Sequence, residues 1–153
     1  MKFLLTLMLI AAFVMSAAAS PATSDKGDVR YLQRGRLQKV QKIYVGDMGS
    51  DDEADRFRLL LEEALTKRGF TVVSRAEDSD AVLTGALSVR VLARATEARV
   101  YVRLETRGGE RLWAKDFGHK RLRVNPFDRT EPTKRRAADV AKGLREDWED
   151  SGK

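Results

Sequence analysis

The chain has 153 residues, 29 Lys or Arg against 23 Asp or Glu, a formal charge of +6 and no cysteine. That length leaves room for one domain with a single two-layer core. The missing thiols exclude disulfides, cysteine-ligated metals and acylation on cysteine, and the interspersed acids describe a mixed, well-solvated surface rather than the field of a nucleic-acid binder.

Met1 and Lys2 precede an apolar stretch from Phe3 to Met15, and Ser16, Ala17, Ala18 and Ala19 follow. A positive start, an apolar centre and a small-residue exit make residues 1–19 a secretory signal peptide, with cleavage expected near Ala19/Ser20. The stretch is shorter than the ~20 apolar residues that span a bilayer. The working protein is therefore expected to be periplasmic or secreted. Residues 20–38 read as a flexible mature N-terminus, and residues 39–153 as a single α/β domain.

Within that domain a strand is expected over Val40–Val45, ending in Gly46-Asp47-Met48-Gly49. Ser50 with Glu53 forms a capping box for the next helix, and Asp51, Asp52 and Glu53 suit the positive end of its dipole. Phe57, Leu60, Leu61, Ala64 and Leu65 share one helical face, and Gly69 supplies the stop. A short strand, Phe70–Val73, follows. Ala81, Leu83, Leu87, Val89 and Val91 alternate with Thr84, Ser88 and Arg90 in a long half-buried strand. In the next, Ala98, Val100, Val102 and Leu104 face one way and Arg99, Tyr101, Arg103 and Glu105 the other.

Gly108-Gly109 predicts a two-residue hairpin turn. Pairing Arg107 with Glu110 then sets Leu104 opposite Trp113, Val100 opposite Phe117 and, as the misfit, Lys115 opposite Val102. Lys115 is expected near the sheet edge, with its stem packed and its ammonium in water. After a basic connection, Asp128 with Glu131, or Thr130 alone, caps a last helix in which Pro132 sits near the first turn. Ala137, Val140, Ala141, Leu144 and Trp148 form its apolar stripe. The order β-α-β-β-β-β-α predicts an α+β two-layer sandwich: a mostly antiparallel sheet of four to five strands with two helices on one face.

Ile43 to Leu87 carries a recognisable pattern. A strand ends in Gly46-Asp47, an acidic capped helix holds Phe57 and Leu60-Leu61, and Arg68-Gly69-Phe70 leads into Val72-Val73. Asp80-Ala81-Val82-Leu83-Thr84-Gly85 follows, with Gly108-Gly109-Glu110-Arg111-Leu112-Trp113 further on. Over about residues 40–118 this resembles small bacterial envelope domains, namely the curli-transport channel family and the N-terminal domain of the Tol–Pal β-propeller protein. The resemblance implies a module that binds other envelope components and does no chemistry. A lipidation cysteine, a barrel-forming segment and an attached propeller are missing, so channel formation is not implied.

The candidate chemistry is sparse. His119 is the only histidine, and with no cysteine beside it a zinc site, which takes three or four such ligands, is nearly excluded. No G-x-S-x-G element flanks a serine. Asp47, Asp51, Asp52, Glu53 and Asp55 are dense enough to suggest calcium, but their spacing is not that of an EF-hand loop, and capping plus dipole complementarity accounts for them. Those acids would also repel a phosphate at Gly46 and Gly49. No catalytic residue, metal or cofactor is assigned. The surface singled out is the basic run Lys120, Arg121, Arg123, Arg129, Lys134, Arg135 and Arg136, a candidate contact for an anionic envelope component; its bland counterpart is a solvated face. Trp113, Phe117 and Phe127 lie near it, the first two better placed in the core.

The expected function is an exported, non-enzymatic envelope protein, a periplasmic binding or assembly module contacting an envelope protein or anionic envelope component. The alternative is a secreted enzyme of unrecognised type, or a calcium-binding protein using residues 47–55. Nucleic-acid binding is disfavoured, because single-strand binders use stacking aromatic pairs that the strands do not supply.

Overall fold

The computed structural model describes residues 29–92, 95–118 and 131–153. The expected signal peptide and the expected caps Asp128 and Thr130 lie outside them. The described chain is an α+β two-layer sandwich, a mixed open sheet with its helices on one face. The elements are β1 (Val29–Leu32), α1 (Arg34–Leu37), β2 (Lys42–Val45), α2 (Asp52–Lys67), β3 (Thr71–Val73), β4 (Ala81–Leu92), β5 (Ala95–Thr106), β6 (Arg111–Phe117) and α3 (Pro132–Asp150). The sheet order is β1-β6-β5-β4-β2-β3.

β1 and α1 extend the folded part into the stretch expected to be a flexible N-terminus, and Leu37 is fully buried. β1 pairs antiparallel with β6, giving six strands instead of four or five. β6 is consequently an inner strand, and Lys115 does not lie at an edge as expected. Its ammonium sits 3.2 Å from Asp147, and both side chains are largely buried. Asp147 also accepts the indole N–H of Trp113 at 2.7 Å. A cation on the apolar face is tolerated here because a carboxylate on α3 meets it.

β2 runs parallel to both β3 and β4, while β4–β5 and β5–β6 are antiparallel. The start of β2 is tied down by Asp80, whose Oδ2 accepts the amide N–H of Lys42 at 2.8 Å and of Gln41 at 3.0 Å. Beyond Val45 the chain stays beside β4: the amides of Gly85 and Leu87 donate to the carbonyls of Asp47 and Met48. Gly85 is required there, because a Cβ would lie 2.3 Å from the Tyr101 carbonyl oxygen and 3.2 Å from Met48 Sδ.

The N-cap of α2 is Asp51, not Ser50. The Asp51 carboxylate accepts the Ala54 amide at 2.7 Å, and Glu53 instead accepts a hydrogen bond from the Thr133 hydroxyl on α3. The helix ends as expected at Gly69, at φ +88°. There the Phe70 amide donates to the Leu65 carbonyl and the Gly69 amide to that of Thr66, the two bonds of a Schellman cap. α3 starts with Pro132, and its N-cap Glu131 makes no side-chain cap bond.

The β5–β6 loop departs from expectation in two ways that cancel. Thr106 donates to the Glu110 carbonyl, so three residues close the turn, with Gly109 at φ +81°. The register then shifts at Leu104/Glu105. That bulge restores the expected pairs Leu104–Trp113, Val102–Lys115 and Val100–Phe117, and it lets both Leu112 and Trp113 be buried.

The core lies between the sheet and the helices. Ile43, Val45, Leu83, Val100, Val102 and Leu104 face Phe57, Leu61 and Leu65 of α2 and Ala137, Val140, Ala141 and Leu144 of α3. Burial of each large side chain contributes about 1.5–3 kcal/mol before chain entropy is subtracted. Trp148 packs on this core edge-on to Phe70 and donates to the Val40 carbonyl at 2.9 Å.

Candidate functional site

Strand alternation splits the side chains of the sheet between two faces. All three helices place their buried residues in the core, so among the described residues no helix packs on the opposite, outer face. That face carries Lys42 and Tyr44 on β2; Val82, Thr84, Ala86, Ser88 and Arg90 on β4; Glu97, Arg99, Tyr101, Arg103 and Glu105 on β5; and Ala114 and Asp116 on β6. The aromatics are sorted accordingly. Phe57, Phe70, Trp113, Phe117 and Trp148 join or pack against the core, whereas Tyr44 and Tyr101 are half-buried on the outer face.

The outer-face charges are paired loosely. Arg103 donates from Nε to the Thr84 hydroxyl at 3.1 Å and lies 3.6 Å from Glu105. Arg111 approaches the same carboxylate at 3.8 Å, and Arg99 stands 4.0 Å from Glu97. These separations are those of ion pairs rather than of tight hydrogen bonds, and exposed pairs of this kind hold their side chains weakly. Asp47, Thr84, Gly85, Ala86, Tyr101 and Arg103 line a shallow cleft of about 300 Å³ in this face. Its lining brings together a phenol, a carboxylate, a guanidinium and a hydroxyl.

The basic run does not form one surface among the described residues. Lys120, Arg121, Arg123 and Arg129, with His119 and Phe127, lie outside them. Lys134 is exposed on the first turn of α3 and Arg135 is half-buried. Arg136 is turned into the fold, with 7 % of its surface exposed. Its Nε donates to the Ala98 carbonyl at 2.7 Å and its Nη1 to Asp139 at 2.9 Å. It pins the start of α3 to β5 and is not available to a partner. The helical period could have shown this, since position 136 shares a stripe with Thr133, Val140 and Leu144, all of them buried.

The acids between 47 and 55 serve local structure. Asp51 caps α2, and Asp47 accepts the Gly49 amide at 2.9 Å, where φ is +135°. Among the described residues no group of three or more His, Asp or Glu is placed to hold a metal ion, and no helix is long and apolar enough to cross a membrane. The outer sheet face was not singled out from sequence. Its signal was present in the alternation of Arg99, Tyr101, Arg103 and Glu105, but nothing in that pattern says which face the helices cover.

No family model matches the chain, and no curated protein matches its sequence. Solved structures do share the fold. A single-substitution variant of the PelC dodecamer from Paraburkholderia phytofirmans superposes with a TM-score of 0.51 at 15% identity, covering 78% of this chain and 98% of that one. A DUF4136 family protein from Bacteroides thetaiotaomicron superposes with a TM-score of 0.50 at 7% identity, covering 79% of this chain and 95% of that one. At such identities the likeness is one of fold. It corrects the expected kinship: the structural neighbours are PelC and the DUF4136 protein, not the curli-transport channel family or the Tol–Pal β-propeller protein. The misleading motif has structural causes of its own, because Asp80 anchors β2, Gly85 admits the Tyr101 carbonyl and Gly109 closes a turn.

Proposed function

We propose that this chain is an exported, non-enzymatic module of the bacterial envelope that works by contacting another protein through the outer face of its sheet. The observation that carries the reading is that face itself, where Tyr44, Tyr101, Arg99 and Arg103 stand on the side that no described helix covers. Tyr and Arg are the residue types that dominate protein–protein contact energies. The leader-like residues 1–19 support export. The PelC dodecamer supports assembly as a use for this fold. A lipid headgroup or acidic polymer is served less well, because Glu97, Glu105 and Asp116 are interleaved with the arginines and Arg136 is buried.

The test is crosslinking in living cells with a tagged chain. The adduct formed by the wild type should be lost in the Arg99→Glu/Arg103→Glu variant and retained in Lys134→Glu. Retention in the first variant and loss in the second would move the contact to the helix side and contradict the reading.

A further inference from the structure

The outward side chains of β5 form a charge palindrome. From Glu97 to Glu105 every second residue reads Glu, Arg, Tyr, Arg, Glu, with Tyr101 at the centre. β5 has three strands to one side of it and two to the other, so this strip runs along the middle of the face that no described helix covers. Five cations (Lys42, Arg90, Arg99, Arg103, Arg111) stand with four acids (Glu97, Glu105, Asp116, Asp47) on or beside it. Such a mixed surface has little net field for a polyanion, and with an offset of one residue its arginines can meet the glutamates of an antiparallel second copy.

We propose that the partner of this face is a second copy of the chain, stacked sheet to sheet about a twofold axis. The proposal rests on the reading that the outer face is a protein contact, and it names the protein. An axis lying between the sheets and across the strands sets the two β5 strands antiparallel. Centred on Tyr101, it would oppose Arg99 to the partner's Arg103 and Glu97 to the partner's Glu105, and like charges would repel. Displaced by one residue, to Val102, it opposes Arg99 to the partner's Glu105 and Tyr101 to the partner's Arg103. Each contact is then repeated by symmetry, as an isologous interface requires. Stacked sheets lie about 10 Å apart, a gap that arginine and glutamate bridge together and that leaves room for a guanidinium over a phenol ring.

The loose pairs within one copy make this exchange feasible. Arg99 and Arg103 are 55% and 46% exposed at their side chains and lie 4.0 and 3.6 Å from their acids, and Arg103 is held besides by one hydrogen bond from Nε to Thr84, so both keep donors for a second copy. With a rise of about 3.3 Å per residue and a strand spacing of about 4.8 Å, the strip over the four strands β6, β5, β4 and β2 measures roughly 26 by 19 Å. That is ~500 Å² per copy, in the range of weak, concentration-dependent association.

The test is sedimentation velocity of the mature protein from micromolar to millimolar concentration, on the wild type and two double variants. Variant one is Arg99→Glu/Arg103→Glu and variant two is Glu97→Arg/Glu105→Arg; both change exposed or half-exposed side chains, and circular dichroism checks folding. The wild type should self-associate. Each variant alone should weaken association at least tenfold, and an equimolar mixture should recover it as a mixed species. A wild type that stays monomeric overturns the proposal, as does undiminished association of both folded variants. If the wild type is monomeric but its outer-face variant still loses a cellular crosslink, self-pairing falls while the protein-contact reading stands. If that crosslink also survives, both fall.

Discussion

Arg136 sits in a run of three cations, Lys134 to Arg136, yet its work differs from the one composition suggests. Lys134 is exposed, whereas Arg136 spends its guanidinium on the Ala98 carbonyl and Asp139. Removing a buried charged donor leaves its acceptor unsatisfied, at a cost of about 1–3 kcal/mol. Arg136→Ala should therefore lower the urea-unfolding free energy by that amount, while Lys134→Ala should stay within about 0.5 kcal/mol of wild type. Equal effects of the two would deny Arg136 its inward role. Asp80 supplies a residue-scale pH dependence. The Lys42 amide, opposed by partial burial and assisted by the Gln41 amide, holds its carboxyl below the ordinary value of 3.8. A depressed folded-state value stabilises the fold above the unfolded-state value, and the benefit disappears as pH falls through the folded one. The stability gap between wild type and Asp80→Asn should accordingly be full near neutrality and shrink below about pH 4, as read from denaturant titrations at pH 7 and pH 3. A gap that widened on acidification would contradict the assignment.

At the scale of elements, helix faces and strand alternation were legible because each rests on local periodicity. The stripes of α2 and α3 and the Gly69 stop follow from spacing alone, whereas the β5–β6 register agrees with it only because a longer turn and a bulge cancel. What spacing could not decide was which of two adjacent polar residues caps a helix. Ser50 and Asp51 are both competent caps, and the turn at Gly49 selects Asp51. Asp51→Ala should cost about 1 kcal/mol in thermal or urea unfolding, and Ser50→Ala much less; the reverse order would restore the sequence-based cap. Nor could spacing place β1, whose pairing with β6 joins residues about 80 apart in the chain and makes Lys115 an inner rather than an edge residue. Gly85 was visible as a glycine interrupting a strand, but its reason is the Tyr101 carbonyl on the next strand. Gly85→Val should overpack that contact and destabilise by about 1–3 kcal/mol, seen as a lowered midpoint in a urea titration.

For the molecule as a whole, the two-layer class was readable and the functional surface was not. A helix layer over one face of a sheet follows from element order, but element order does not say whether the other face is covered. The outward alternation of β5 was therefore recorded without its meaning, and attention went to the charge run before α3, part of which the structure turns inward at Arg136. With the described helices all on one side, Tyr101 and its flanking arginines become the surface to explain. On the helix side Leu59 is a large apolar residue exposed at 59%, and it serves as the control position.

The direct test is a photoreactive benzophenone residue placed at position 101 in one strain and at position 59 in another, both illuminated in living cells. A protein adduct from position 101, and none from position 59, is the predicted result. Adducts from position 59 with none from position 101 would put the contact on the helix layer and contradict the account.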